Sequence, residues 1–401
     1  MDLCTQIIGL GQEPSERKVK NEKGSDMAGP LQGFKVIELA GLGPGPFAGM
    51  LLADLGAEVV CVDRIVPSEA DLHSIHSKVL RRNKQSIALN LKQPAAIEVV
   101  LKLIESADVL IEGFRPGVME KLGLSPEVCL ARNPKLVFGR MTGWGQTGPL
   151  AQAAGHDINY IALSSALHAM GTPEQPLPPL NLVGDFGGGG MLLVAGVLAA
   201  AMHAKATGKG QVVDAAMTDG SALLMGLMYA RLAEGQWRDE RGQNMLDGAA
   251  HFYGTYRCAD GKWIALGSIE PQFYALLIEK SGINDIDPTQ QRDPASWPVM
   301  RQKFEKIFAM RTRQEWCDVM EGTDVCFAPV LSMTEAPLHP HNVARSTFCE
   351  VQGVMQPSVA PRFSHTPTAA IRAPAAVGAH TVDILHKLGY SAAEVSALQK
   401  G

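Results

Sequence analysis

Little in this sequence invites a disulfide framework, a membrane span or a nucleic-acid surface. The seven cysteines, Cys4, Cys61, Cys129, Cys258, Cys317, Cys326 and Cys349, are odd in number and scattered, with no C-x-x-C. Neither bridges nor a short-spaced zinc site is expected, and the thiols read as reduced, as in the cytosol. The longest apolar run, Met191 to Met202, falls short of the ~20 residues a span needs, so it reads as a buried helix with no membrane contact. Lys and Arg number 36 against 41 Asp and Glu, a net charge of −5. That leaves no basic field to draw the chain onto nucleic acid, and an anionic ligand must meet a local cluster instead. The G-x-x-x-x-G-K-[ST] and G-x-S-x-G motifs are absent too.

What is present is an ordinary globular composition, 46% hydrophobic over 401 residues, with ample chain for a core that needs no staples. The first 27 residues are polar and charged and read as a disordered extension, with Met27 a second possible start. From Phe34 the pattern is strand, turn, helix, strand: FKVIELA, the punctuation GLGPGP, then FAGMLLADLG and EVVCVD. Further units follow at Ser86 to Leu91, a helix near Pro94, Asp108 to Glu112, a short helix after Pro116, Lys135 to Met141, and VVDAA after the apolar helix. Strands alternating with helices predict an α/β fold with a mainly parallel sheet.

This large domain takes in 28–218, a linker helix 219–244, a smaller α+β domain 245–345 that begins with the hairpin HFYGTYRCADGKWIAL, a return linker 346–375, and two helices in 376–401 docked back on the first domain. The C-terminus, ALQKG, carries no peroxisomal S-K-L-type signal, so a cytoplasmic protein is expected.

Several groups invite a functional reading. GLGPGP with Asp63 at the end of the next strand has the spacing of a dinucleotide site, yet the glycines do not fit G-x-G-x-x-G, and Pro44 and Pro46 lack the N–H groups that would cradle a pyrophosphate. A structural turn is the better reading. The pairs His73/His76 and His339/His341 have no Cys or carboxylate set beside them, so no metal site is expected. Arg64, Arg82, Lys84 and Arg115 are the local cationic group. Residues just beyond the C-terminal ends of parallel strands converge on a crevice, which favours Arg64 and Arg115 as partners of a phosphorylated ligand.

His156 and Asp157 in GHDINY read equally as a helix start. Asp185 in NLVGDFGGGG stands beside four glycines that would allow close approach of a ligand, with Asn181 able to orient it. Glu270 in GSIEPQF starts the turn after a strand, where a helix cap is the plain alternative.

Taken together, GLGPGPFAGMLLADLGAEV, IEGFRPGVMEKLGL, MTGWGQTGP, AGHDINY, PPLNLVGDFGGGG, GKGQVVDAAMTDG and GSIEPQFY resemble the family III CoA-transferase (CaiB/BaiF-type) superfamily, and within it the branch that racemises α-methylacyl-CoA. The resemblance runs from about Pro30 to the C-terminus. It implies a Rossmann-like large domain, a small domain, and linkers that thread two chains into an interlocked homodimer with a shared active site. By motif, His156 and Asp185 match the acid/base pair, Glu270 the carboxylate that partners the histidine from the other chain, and Asn181 and Tyr253 supporting residues around Asp185.

Arg64, Arg82, Lys84 and Arg115 become candidates for the CoA phosphates and adenine. CoA is then part of the substrate, and no separate cofactor is implied. Inverting an α-carbon needs two bases on opposite faces. The Asp185 carboxyl would have to be protonated, which burial favours, and the backbone N–H of Asp157 would meet the enolate oxygen. Met191, Met217, Met225 and Met228 offer a soft surface for the moving acyl chain, or ordinary core. The alternative within the family is a CoA-transferase with Asp157 as nucleophile, disfavoured by the basic residue before it. A CoA-thioester binding protein and a dinucleotide oxidoreductase are weaker readings.

Overall fold

The computed structural model describes residues 28–65 and 79–400. The N-terminal extension and the His73/His76 pair lie outside the described residues. Six parallel strands form the main sheet: β1 (Lys35–Leu39), β2 (Glu58–Asp63), β3 (Gln85–Ala88), β4 (Val109–Glu112), β5 (Val137–Thr142) and β6 (Gln211–Ala216), in the order β3-β2-β1-β4-β5-β6. The apolar runs of β1, β2, β4 and β5 are buried on both faces, as expected of strands covered by helices on both sides, whereas the edge strand β6 is largely exposed. Ile37 of β1 pairs with Val60 of β2 and with Leu110 of β4.

The order reverses between β1 and β4, and the loops beyond their C-terminal ends therefore part and leave a crevice, the topological switch point of an open α/β sheet. On one face lie α1 (Pro44–Asp54) and the long apolar helix. On the other lie α2 (Pro94–Ile104) and, from the far end of the chain, Ile384, Leu385, Val395 and Leu398. Helix α1 begins at Pro44, one residue after Gly43 at φ 68°. Pro44 and Pro46 thus occupy the first turn, where a missing N–H costs nothing.

The chain then forms α3 (Asp157–Leu163), and the glycine-rich segment departs from expectation. Leu182–Met191 is a wide π-helical stretch that runs into α4 (Leu192–Thr207). Gly187 to Gly190 serve packing rather than open space for a ligand: a Cβ on Gly188 would stand 2.6 Å from the backbone N of Ser221, and one on Gly220 would stand 1.8 Å from the carbonyl of Gly188. The combined helix Leu182–Thr207 is long and apolar enough to cross a membrane, more than the run Met191 to Met202 suggests. In this fold α4 lies against β5 and β6, with Leu193 and Val197 fully buried.

After β6 the long helix of the sequence reading is two, α5 (Met217–Leu224) and α6 (Gly226–Ala233), broken at Met225. A second sheet follows, antiparallel, of β7 (Tyr253–Arg257), β8 (Trp263–Gly267) and β9 (Phe327–Val330). It packs with α7 (Pro271–Ser281), α8 (Trp297–Phe308) and α9 (Arg313–Met320) around Phe252, Tyr256, Tyr274, Phe304, Phe308 and Trp316. The stretch read as a return linker holds a hairpin, β10 (Phe348–Val351) and β11 (Val354–Pro357). Helices α10 (Thr381–Lys387) and α11 (Ala392–Lys400) close the chain.

Candidate active site

A cleft of about 510 Å³ opens at the C-terminal end of the parallel sheet, between the loops that leave β1 and β4. One lip is Leu42 and Pro44–Pro46, the other Phe114, Arg115 and Pro116, and the start of α3 brings His156, Asn159 and Tyr160 to its wall. The MTGWG turn after β5 supplies Trp144, whose ring meets Tyr160 edge to face at 4.7 Å. The Tyr160 hydroxyl donates to the carbonyl of Gly155, fixing the peptide just before His156.

His156 is the N-cap of α3, in an extended conformation (φ −132°, ψ 173°), and its own N–H donates to Asn159 Oδ1 at 3.0 Å. The cap is made by Asn159 holding the histidine backbone, so the imidazole stays exposed at the cleft. Asp157 takes N1, whose backbone N–H has no partner within the helix. Its carboxylate turns inward, 8% exposed, and Oδ1 accepts the backbone N–H of Asp185 at 2.6 Å. Oδ2 is buried without a partner. Burial pushes the Asp157 carboxyl up, with the nearby Asp185 charge adding to it and backbone donors opposing it.

Through that one hydrogen bond the π-helical turn carrying Asp185 is tied to the turn carrying His156. Asn181 Nδ2 donates to Asp185 Oδ2 at 3.1 Å. A Cβ on Gly43 would come within 3.2 Å of that oxygen, so the carboxylate lies against the lip formed by Leu42 and Pro44. π-Helical turns gather at functional positions, and this one presents a half-buried carboxylate beside a cleft.

The cationic group divides. Arg115 lines the cleft and Arg64 is exposed at the C-terminal end of β2, outside the lining. Arg82 and Lys84 stand differently from the sequence reading, because they precede β3 and lie inside the fold. Arg82 pairs with Asp54 at the far end of α1 (2.6 Å) and donates to Gln356 Oε1 and the Pro357 carbonyl. It is a clamp for the β10–β11 hairpin. Lys84 pairs with Glu38 (2.5 Å) and donates to the carbonyl of Pro46 at 2.8 Å, so it supports the cleft's first lip from behind. Both are nearly inaccessible, 3% and 6% exposed.

Glu270 sits at the N-cap of α7 without a side-chain capping bond, exposed, and Tyr253 is on β7. Neither lines this chain's cleft. Of the four methionines, Met217 reaches the cleft, Met225 is buried against Ile161 with Met228 half-buried beside that cluster, and Met191 is exposed. His339 of the second histidine pair lies 2.7 Å from Glu321. Sequence reasoning missed the Asp157 carboxylate as a tie between the two turns; only the packing of α3 against the π-helix reveals it.

The model of CoA-transferase family III matches residues 31–381. The chain is 46% identical over 372 residues to the α-methylacyl-CoA racemase of Mus musculus, covering 92% of this chain and 96% of that one. It is 45% identical to the human protein of the same name, with the same coverage. Among solved structures, Rv3272 from Mycobacterium tuberculosis superposes with a TM-score of 0.75 at 26% identity, over 90% of this chain and 100% of that one.

Proposed function

The chain belongs to CoA-transferase family III, and from that premise we propose that it interconverts the (R) and (S) forms of 2-methylacyl-CoA thioesters. The observation that carries the reading is the tie, through the Asp157 carboxylate, between the His156 turn, which lines the cleft, and the Asp185 turn beside it, which is outside the lining. Two proton carriers on separate elements, one imidazole and one carboxyl, are what inversion at an α-carbon demands.

In one direction neutral His156 takes the α-proton. The electron pair moves onto the thioester oxygen to give the enolate, and a protonated Asp185 returns a proton to the opposite face. In the other direction the roles exchange. The N–H of Asp157, free of the helix ladder, is the donor offered to the enolate oxygen. Arg115 at the second lip is the candidate for a CoA phosphate, with Arg64 further out. The family alternative, transfer through an Asp157 anhydride, sits badly with a carboxylate that is 8% exposed and committed to the Asp185 backbone.

Glu270 and Tyr253 belong to the reading as contributions from the partner of a homodimer. The surface supports that: α6 buries no residue in the single chain, and Leu223, Leu224, Leu227 and Tyr229 are each at least half exposed. An apolar surface of that kind marks an interface. Incubating a single enantiomer of a 2-methylacyl-CoA with the protein in deuterated water tests the activity. Exchange of the α-proton together with inversion supports the two-base racemase, whereas no exchange, with CoA passing to an added free carboxylate, overturns it.

A further inference from the structure

Arg115 is notable for its lack of a counter-ion. Among the described residues it forms no ion pair, although carboxylates flank it in the chain at Glu112 and Glu120. A third residue, Arg140 on β5, takes both. Its Nε donates to Glu112 Oε1 at 2.8 Å and its Nη1 to Glu120 Oε1 at 2.9 Å. The arrangement is built into the sheet, since Arg140 and Glu112 are register partners across β5 and β4.

The second oxygen of Glu112 accepts the N–H of Phe114 at 2.7 Å, so the residue just before Arg115 is pinned to the end of its strand. Glu112 and Arg140 are 0% and 6% exposed, and neither lines the cleft. A buried pair of this kind is seldom worth more to stability than apolar residues of the same volume. What it adds here is geometry and an accounting of charge: the turn is fixed, and both neighbouring carboxylates are withheld from Arg115.

We infer that Glu112 and Arg140 are positioning residues for Arg115, holding the 113–116 turn at the cleft and leaving the Arg115 guanidinium to meet an anionic group of the CoA thioester. This rests on the acyl-CoA reading above. Without Arg140, Glu120 would be released toward Arg115 and would compete with that anion.

The test is calorimetric titration of the full chain with free CoA. Arg115→Ala should weaken binding about tenfold, the range for one lost charge-assisted contact. Glu112→Gln should weaken it by a similar factor, and the double variant should be no worse than Arg115→Ala alone. Arg140→Gln should also weaken it, and adding Glu120→Gln should recover part of the loss, a rescue that a purely structural role would not give. Should Glu112→Gln fail to fold, the Arg140→Gln and Arg140→Gln/Glu120→Gln comparison decides the matter. Independent, multiplying losses, or affinities within twofold of the unmodified protein in folded variants, overturn the inference alone. An unmodified protein that does not bind CoA overturns the acyl-CoA reading and this inference with it.

Discussion

The crevice of the parallel sheet and the interior behind it use the same residue types to opposite ends. At the crevice Arg115 and His156 are exposed and face the cleft. Behind it, Arg82 is locked to Asp54 and Lys84 to Glu38, and in the turn before β7 His251 is fully buried, stacked on Phe304 and bonded to the Tyr274 hydroxyl at 2.7 Å. A buried charge must be neutralised or paired. Only where strand order reverses can a cation or an imidazole be left for a ligand. The contrast says that position along the strand, more than residue type, separates a binding group from a clamp.

The sharpest break would come at the crevice. His156→Ala should reduce α-proton exchange by about a thousandfold, within the usual range for a lost acid/base group, with little change in melting temperature because the hydrogen bond from the His156 backbone to Asn159 is retained. Deuterium exchange and thermal unfolding on the same sample check both halves. A large loss of stability would mean that His156 belongs with the interior group.

Arg82→Met reverses the expectation. It strands Asp54 in the interior and releases the hairpin held through Gln356 and Pro357. The cost should be about 3–5 kcal/mol of stability, read as a lower urea midpoint, with CoA affinity of the folded fraction unchanged. A loss of CoA affinity at full stability would return Arg82 to the binding group.

That reassignment shows where the sequence was legible. The βαβ pattern and every strand of the large sheet could be read from apolar runs and turn residues, because those signals are local. His156, Asp157 and Asp185 could be singled out as motifs. Arg82 and Lys84 differ from Arg64 and Arg115 in standing before a strand, β3, whereas ligands gather after strands, a difference that grouping the cations by type hides. The four glycines could not be understood locally, because what they accommodate is distant in the chain: Gly188 meets the backbone at Gly220 and Ser221, Gly189 the Met217 side chain, and Gly190 Phe47 and Pro44. The Asp157–Asp185 tie is likewise a tertiary contact that spacing does not announce.

The buried histidine sharpens the comparison through pH. Burial, with some help from Arg301, lowers the His251 pKa from 6.5 to about 4. The unfolded chain therefore binds more protons between those values. The stability this histidine contributes is complete above about pH 6.5, declines as the pH falls toward 4, and amounts to about 3 kcal/mol across the window. Urea unfolding from pH 7 to 4.5 should show that slope, and His251→Phe should flatten it. An unchanged slope in the variant would assign the acid sensitivity to other groups.

The smallest effect is expected at Asn181, and it tests how finely the crevice is tuned. Its amide donates to one oxygen of Asp185, while the backbone of Asp185 is held separately by Asp157. Removing Asn181 should therefore leave the carboxylate in place and alter only its orientation and its preference for the ionised form, since a donor to a carboxylate favours the charge. Asn181→Ala should lower the turnover rate about fivefold, matching one lost hydrogen bond of ~1 kcal/mol, with KM nearly unchanged. It should also shift the pH profile upward on the limb that reports Asp185, because the proton is then held more tightly. A rate loss with no movement of that limb would mean that Asn181 orients Asp185 without tuning its proton.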